Sequence, residues 1–349
     1  MTSLPEPAGT ARPTHRRCPS SRQPSYRRYR EMSLKNQDVA AATSVKEDIE
    51  FRADNGVILR GWVMTPASEG PHPTIVMTPG FSSSITRLEF VADAFVARGF
   101  GVLLYDQQTC GNSDGEPRQD IDPVAQERDL QMALSFVEQH PALDSDRIGL
   151  WGSSYSGAMV LVVAAMDRRV KAVVSQVPFI SGYDQFVLGN GQGALAAIND
   201  NMDQDRQGRL KGEEPGRIQL VRMPTDPADH PVLFEDAADY EYLVGGPQGP
   251  AEGWINSVTI RSTGRALAYD VRPFMRRISP TPLLMVVASD DQTTPPSLAL
   301  EAYDAALEPK ELVMISGGHY GVYWPHLSRD LVTDAAARWF ETHLGKATP

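Results

Sequence analysis

Arg147-Ile148-Gly149-Leu150-Trp151-Gly152-Ser153-Ser154-Tyr155-Ser156-Gly157 reads as a strand that stops at once on a Gly-x-Ser-x-small turn. From Tyr155 to about Met166 the residues are small and apolar, as in a buried helix. Strand, sharp turn and helix in that order form a nucleophile elbow, which lifts one serine clear of the strand's carboxyl end. Ser154 is that serine, and it stands over a helix amino terminus, which favours developing negative charge. Gly152 and Ser156 must be small because neighbouring elements crowd the turn. Glycine follows only at position 157, where the usual pattern has it one residue earlier. Ser153 or Ser156 as nucleophile would sit off the apex.

Working outward, short apolar runs without alternation predict strands covered on both faces at Thr74–Met77, Gly101–Tyr105, Val170–Val174, Leu283–Ala288 and Leu312–Ile315. Helical spacing links Leu88, Val91, Ala92, Phe95 and Val96, with Gly99 as the stop, and then Leu130, Ala133, Phe136 and Val137. A helix around Leu298–Ala306 and a last one bearing Leu331, Val332, Ala335, Trp339 and Phe340 close the pattern. Ile49 to Met64, with Asn55-Gly56 at the turn, predicts an opening hairpin. Alternating strands and helices predict an α/β fold with a doubly wound, mostly parallel eight-stranded sheet. The rhythm fails between about Ile180 and Arg272, a stretch with Gly189 to Gly193, the charged run Asp203 to Glu214, Pro215, Pro224, Pro227 and Pro231. We expect a core of residues 32–180 and 272–349, carrying a largely helical cap over 181–271. No repeat of solenoid length is present.

An elbow serine needs a base and a group to orient that base. Asp290 and Asp291 follow the predicted strand Leu283–Ala288, and His319 follows Leu312–Ile315 on a Gly317-Gly318 loop. Both positions lie at carboxyl ends of strands, as Ser154 does. An oxyanion also needs donors. The N–H of Tyr155, next after the nucleophile, supplies one; the turn Pro79-Gly80-Phe81 after the strand Thr74–Met77 supplies the other through Phe81 N–H.

These residues resemble the α/β-hydrolase superfamily over nearly all of Glu47 to Leu344. Trp151 to Gly157, Gly111-Asn112-Ser113-Asp114-Gly115-Glu116-Pro117-Arg118, Val177-Pro178-Phe179 and Gly318-His319-Tyr320 are similar to a narrower group. That group holds dienelactone-hydrolase-related bacterial proteins and the fungal polyketide transferases and thiohydrolases of fumagillin-type pathways. The Ser154-Tyr155 pair is also similar, more loosely, to cocaine-esterase-like acyl hydrolases. The resemblance implies the α/β-hydrolase fold and the order serine, acid, histidine. It favours Asp291 over Asp290, since the family's acid commonly precedes a proline by four residues and Pro295 fits that spacing. It further implies an acyl-enzyme on Ser154, with water or an alcohol receiving the acyl group. Pro79-Gly80 stands where the family often has His-Gly.

Composition narrows the setting. A formal net charge of -11 gives no general attraction for nucleic acid or anionic membranes. Two cysteines, Cys18 and Cys110, build no disulfide framework. No run reaches the roughly 20 apolar residues that span a bilayer, so a soluble cytoplasmic protein is expected. Residues 1–31 hold seven arginines against two glutamates, with prolines and serines, and predict a disordered basic extension. The same composition suits an organelle transit peptide or an extension preceding a true start at Met32.

Other residues carry weaker signals. Asp106 with the Gly111–Gly115 loop is expected to shape structure or pocket, and Cys110 to be a loop residue. His72, His140, His230, His326 and His343 lack metal-ligand spacing, and Gly189–Gly193 lacks the strand that a phosphate loop needs. Phe179, Ile180, Phe186, Trp254 and Ile255 are candidates for an apolar substrate pocket. The expected function is a cofactor-free serine hydrolase for a small-molecule ester or thioester, with homodimer assembly open. An acyltransferase would use the same residues, and a non-catalytic binding protein on this scaffold is the distant alternative. The elbow serine disfavours dehalogenase and epoxide hydrolase chemistry, which use an aspartate there.

Overall fold

The computed structural model describes residues 44–245, 249–251, 253–324 and 327–345. The expected basic extension, residues 1–31, lies outside the described residues, as does His326. An antiparallel pair opens the described chain: β1 (Ser44–Arg52) and β2 (Ile58–Pro66), joined where Gly56 turns at φ 87°. Then follow β3 (His72–Met77), β4 (Gly101–Tyr105), β5 (Leu143–Ser153) and β6 (Val170–Gln176). Three short strands, β7 (Arg217–Val221), β8 (Val232–Phe234) and β9 (Ser257–Thr259), precede β10 (Leu283–Ala288) and β11 (Lys310–Ile315). Eight of these form one sheet in the order β1-β2-β4-β3-β5-β6-β10-β11. β2 runs antiparallel to β1 and β4, and the others pair in parallel.

The sheet is covered on both faces because successive side chains of a strand point to opposite sides. In β10, Leu283, Met285 and Val287 join one core, while Leu284, Val286 and Ala288 join the other. The helices are α1 (Glu89–Val96), α2 (Pro123–Gln139), α3 (Tyr155–Met166), α4 (Gly182–Asn190), α5 (Leu195–Leu210), α6 (Ile260–Ala268), α7 (Pro296–Ala305) and α8 (Arg329–Leu344), besides shorter turns. Leu130 of α2, Ala158 of α3 and Leu298 of α7 fill the first core. Phe95 of α1 and Phe340 of α8 meet edge to face in the second, centroids 5.7 Å apart. Asp122 starts α2 by accepting the N–H groups of Val124 and Ala125, with Pro123 at the first helical position.

From β3 the chain steps outward to β4 and then crosses to β5 on the other side. Strand order reverses there, and such a reversal opens a crevice at the strands' carboxyl ends. The Pro79-Gly80-Phe81 turn and Ser154 both lie at that crevice.

Between β6 and β10 the chain builds a separate layer, entered and left at one place. Ser181 and Asp270 form an isolated antiparallel bridge. Gly182 N–H donates to Tyr269 O at 2.9 Å, and Val271 N–H to Ile180 O at 3.0 Å. Arg272 clasps this neck through Asp270 and Asp184. The layer holds α4, α5 and α6, but also a three-stranded sheet, β8-β7-β9, where a largely helical stretch was expected. Strands of three to five residues separated by proline-bearing loops are too short to show a period. Leu220 and Val258 of this small sheet pack with Tyr155, and Phe81 lies against the same cluster.

Candidate active site

At the elbow, Ser154 adopts φ 60° and ψ −121°, a conformation that a non-glycine residue holds only when its surroundings enforce it. Its N–H donates to Gln176 O at 2.8 Å, and its carbonyl accepts from Phe179 N–H at 3.1 Å. A Cβ at Gly152 would lie 2.3 Å from Ser156 O, and one at Gly157 would lie 3.0 Å from Gln176 O. The second crowded position is thus 157. Ser156 has another part: its buried hydroxyl accepts from Ser153 N–H and donates to Ser153 O, both at 3.0 Å, stapling the turn.

His319 Nε2 stands 3.0 Å from Ser154 Oγ, and His319 Nδ1 stands 2.8 Å from Asp291 Oδ2. Asp291 and His319 are buried, at 2% and 5% exposure, whereas Ser154 is partly open to the cavity. Asp291 Oδ1 accepts the N–H groups of Thr293 and Thr294 at 2.9 and 2.7 Å. Those bonds occupy one oxygen, and the other, Oδ2, faces the imidazole. Asp290 points elsewhere, accepting from Ser289 Oγ and Gly317 N–H in an exposed loop.

Sequence reasoning missed Thr294. Its hydroxyl lies 2.9 Å from Asp291 Oδ2, 3.0 Å from Val177 O and 3.1 Å from His319 Nδ1, so it braces the acid and ring together. Tyr323 was missed as well: its hydroxyl meets Ser153 Oγ at 2.6 Å, beneath the elbow. A threonine three residues after an acid and a tyrosine four after a histidine are too common to stand out.

Tyr155 opens α3, so its N–H has no acceptor within the helix. Phe81 lies in the turn after β3, and its ring meets the Tyr155 ring edge to face at 5.4 Å. Gly80 packs on the elbow, where a Cβ would make ordinary contact with Ser153 O at 3.4 Å. Ser154, Tyr155, Phe81 and His319 open into a cavity of about 840 Å³ beneath the layer of α4 to α6. Phe179, Phe186, Ile198, Leu233, Phe234 and Leu267 give it an apolar lining. Trp254 is not among its lining residues; the indole Nε1 instead donates to Ser82 O at 2.8 Å, behind the turn. Ile180 is buried in the core and Ile255 is exposed, so neither lines the cavity. An aromatic residue in a loop-rich stretch carries no signal that separates pocket from brace.

Asp106 is fully buried and receives the N–H groups of Ile85 and Asn112, both at 2.9 Å, anchoring the loop beyond the Phe81 turn. Burial pushes its carboxyl up to about 6. Burial also raises the Cys110 thiol to about 12, which keeps it protonated. Among the described residues, no group of three or more His, Cys, Asp or Glu is disposed to hold a metal ion. Nor is any described helix long and apolar enough to cross a membrane.

The profile of the X-Pro dipeptidyl-peptidase (S15) family matches residues 55–321. The chain belongs to this family of α/β-hydrolases, beside polyketide transferases and thiohydrolases. It is 33% identical over 290 residues to thiohydrolase apmlB of Arthrinium phaeospermum, covering 80% of this chain and 91% of that one. Polyketide transferase ATR5 of Stachybotrys chlorohalonatus is 35% identical over 280 residues, with the same two coverages. The crystal structure of the α/β-hydrolase GrgF from Penicillium superposes with a TM-score of 0.74 at 30% identity, covering 86% of this chain and 99% of that one. For this S15-family protein the matched span runs from the first hairpin through His319, so it includes Phe81, Ser154 and Asp291 as well.

Proposed function

We propose that this protein is a serine-dependent acyl hydrolase that cleaves a carboxylic ester or thioester through an acyl-enzyme on Ser154. The observation that carries the reading is the hydrogen-bonded line from Asp291 Oδ2 through both ring nitrogens of His319 to Ser154 Oγ, ending in an apolar cavity. Asp291 holds the Nδ1–H tautomer, which leaves the Nε2 lone pair facing the serine hydroxyl. As Ser154 Oγ bonds to the acyl carbon, its proton passes to Nε2 and the carbonyl electrons move onto oxygen. The N–H groups of Tyr155 and Phe81 receive that oxyanion. His319 then returns the proton to the departing alkoxide or thiolate as its bond to the acyl carbon breaks. Water then bonds to the acyl carbon as His319 takes its proton, and His319 passes that proton to Ser154 Oγ as the serine ester bond breaks and the acid leaves.

A second reading, acyl transfer to an alcohol, is supported by the polyketide transferases among the relatives and by a cavity large enough for an acyl chain and an acceptor. Product analysis with and without an alcohol acceptor separates the two. Ser154→Ala is expected to lower turnover of p-nitrophenyl esters and acyl-CoA thioesters by roughly 10³-fold or more and to abolish fluorophosphonate labelling. Wild-type turnover or full labelling in that variant would refute the reading. Absence of turnover and labelling in the unmutated protein would favour a non-catalytic binding role instead.

A further inference from the structure

The turn that carries Phe81 is held from its far side. Gly80, Phe81, Ser82 and Ser83 form a β-turn closed by Ser83 N–H to Gly80 O at 3.2 Å, with Ser82 third at φ 54°. Glycine or asparagine is the usual residue at a positive-φ third position, so a serine there needs outside restraint. Gly80, Phe81 and Ser83 line the cavity, whereas the buried Ser82 does not.

Two side chains grip Ser82. Gln119 Nε2 donates to Ser82 Oγ at 2.6 Å, and Trp254 Nε1 donates to Ser82 O at 2.8 Å. Gln119 is 3% exposed and itself at φ 53°, so its own conformation is constrained. The same amide reads the backbone of the inserted layer: Nε2 lies 2.8 Å from both Ile255 O and Ser257 O, and Oε1 accepts Ile255 N–H at 2.7 Å. Gln119 N–H is tied to the core loop through Thr109 O at 2.7 Å. With two amide hydrogens facing three acceptors, any shift of residues 255–257 redistributes the bonds that fix Ser82.

We propose that Gln119 and Trp254 are positioning residues that couple the oxyanion turn to the inserted layer, setting the direction of the Phe81 N–H. The proposal rests on the reading of Ser154 as nucleophile and Phe81 N–H as oxyanion donor. It makes seating of the acyl chain under the layer and assembly of the oxyanion site one event, so recognition is expressed in kcat as well as in affinity.

Trp254→Phe keeps an aromatic ring but removes the N–H together with the rest of the indole, and Gln119→Leu removes the amide at similar volume. Both are assayed on a p-nitrophenyl ester, with phenylboronic acid as a mimic of the tetrahedral adduct and thermal melting as the check on folding. Displacing an oxyanion donor costs roughly 10- to 100-fold, so kcat should fall by that factor while KM stays within about threefold. Phenylboronic acid should bind more weakly by a matching factor. Folded variants with wild-type kcat, or with lowered kcat and unchanged boronate affinity, would overturn the proposal. Should Gln119→Leu fail to fold, Trp254→Phe alone decides it. If Ser154→Ala retains activity, the underlying reading falls and this proposal with it; if Ser154→Ala is inactive and Trp254→Phe is fully active, only the coupling falls.

Discussion

Asp291 and Asp290 are neighbours in sequence with opposite environments, and that contrast gives the sharpest test at the scale of one residue. Asp291 is buried against His319 and two backbone N–H groups, while Asp290 is exposed on its loop. On the proposed mechanism Asp291 orients and balances the imidazole, so Asp291→Asn is expected to lower kcat by roughly 10²- to 10⁴-fold with little change in KM. Asp290→Asn is expected to stay within about threefold of the parent, a difference set by burial and bonding alone. Steady-state kinetics on one ester substrate checks both. Ser154, Asp291 and His319 were legible because each stands at the carboxyl end of a readable strand. Thr294 was not, since its contribution exists only where Val177, Asp291 and His319 have been brought together by three different strands.

At the scale of elements, the central strands were legible to within a few residues because both their faces are buried: Leu283–Ala288 and Gly101–Tyr105 contain no charged residue. Strand ends fared less well, and β5 begins four residues before the predicted Arg147, where polar residues mask it. The small sheet β7 to β9 was invisible because its strands are too short to show a period, and the brace role of Trp254 because it arises from a contact between the inserted layer and the turn after β3. The elbow shows what a readable motif leaves out. Its sequence points to small residues, but only the packing shows that Gly152 faces backbone rather than a yielding side chain. Gly152→Ala would drive a methyl group against Ser156 O, and urea unfolding should show a loss of about 2–3 kcal/mol together with reduced activity.

Over the whole molecule, two buried carboxyls outside the candidate active site contribute to how stability responds to pH. Burial raises Glu127 to about 7, where it accepts from the Tyr269 hydroxyl, and raises Asp129 to about 7, where it accepts from Gln108 Nε2 at 2.7 Å. A carboxyl whose folded pKa exceeds its unfolded value holds extra protons in the native state. Its contribution is therefore fully present below the ordinary carboxylate range near 4 and is lost as pH rises through about 7. Asp129→Asn stays neutral throughout and still offers Gln108 an acceptor. It is expected to be more stable than the parent by about 1–3 kcal/mol at pH 8, with the gap closing toward pH 4. Urea titrations at a series of pH values measure this directly, and a gap that does not depend on pH would assign the effect to packing.

The paired crossing at Ser181 and Asp270 has a consequence for how such a molecule diversifies. Departure and return share one doorway, so everything between them is topologically a single cassette that can be exchanged without rerouting the sheet beneath. Acyl preference can then drift by trading lids while the chemistry stays put, provided that each new lid brings its own grip for the Phe81 turn.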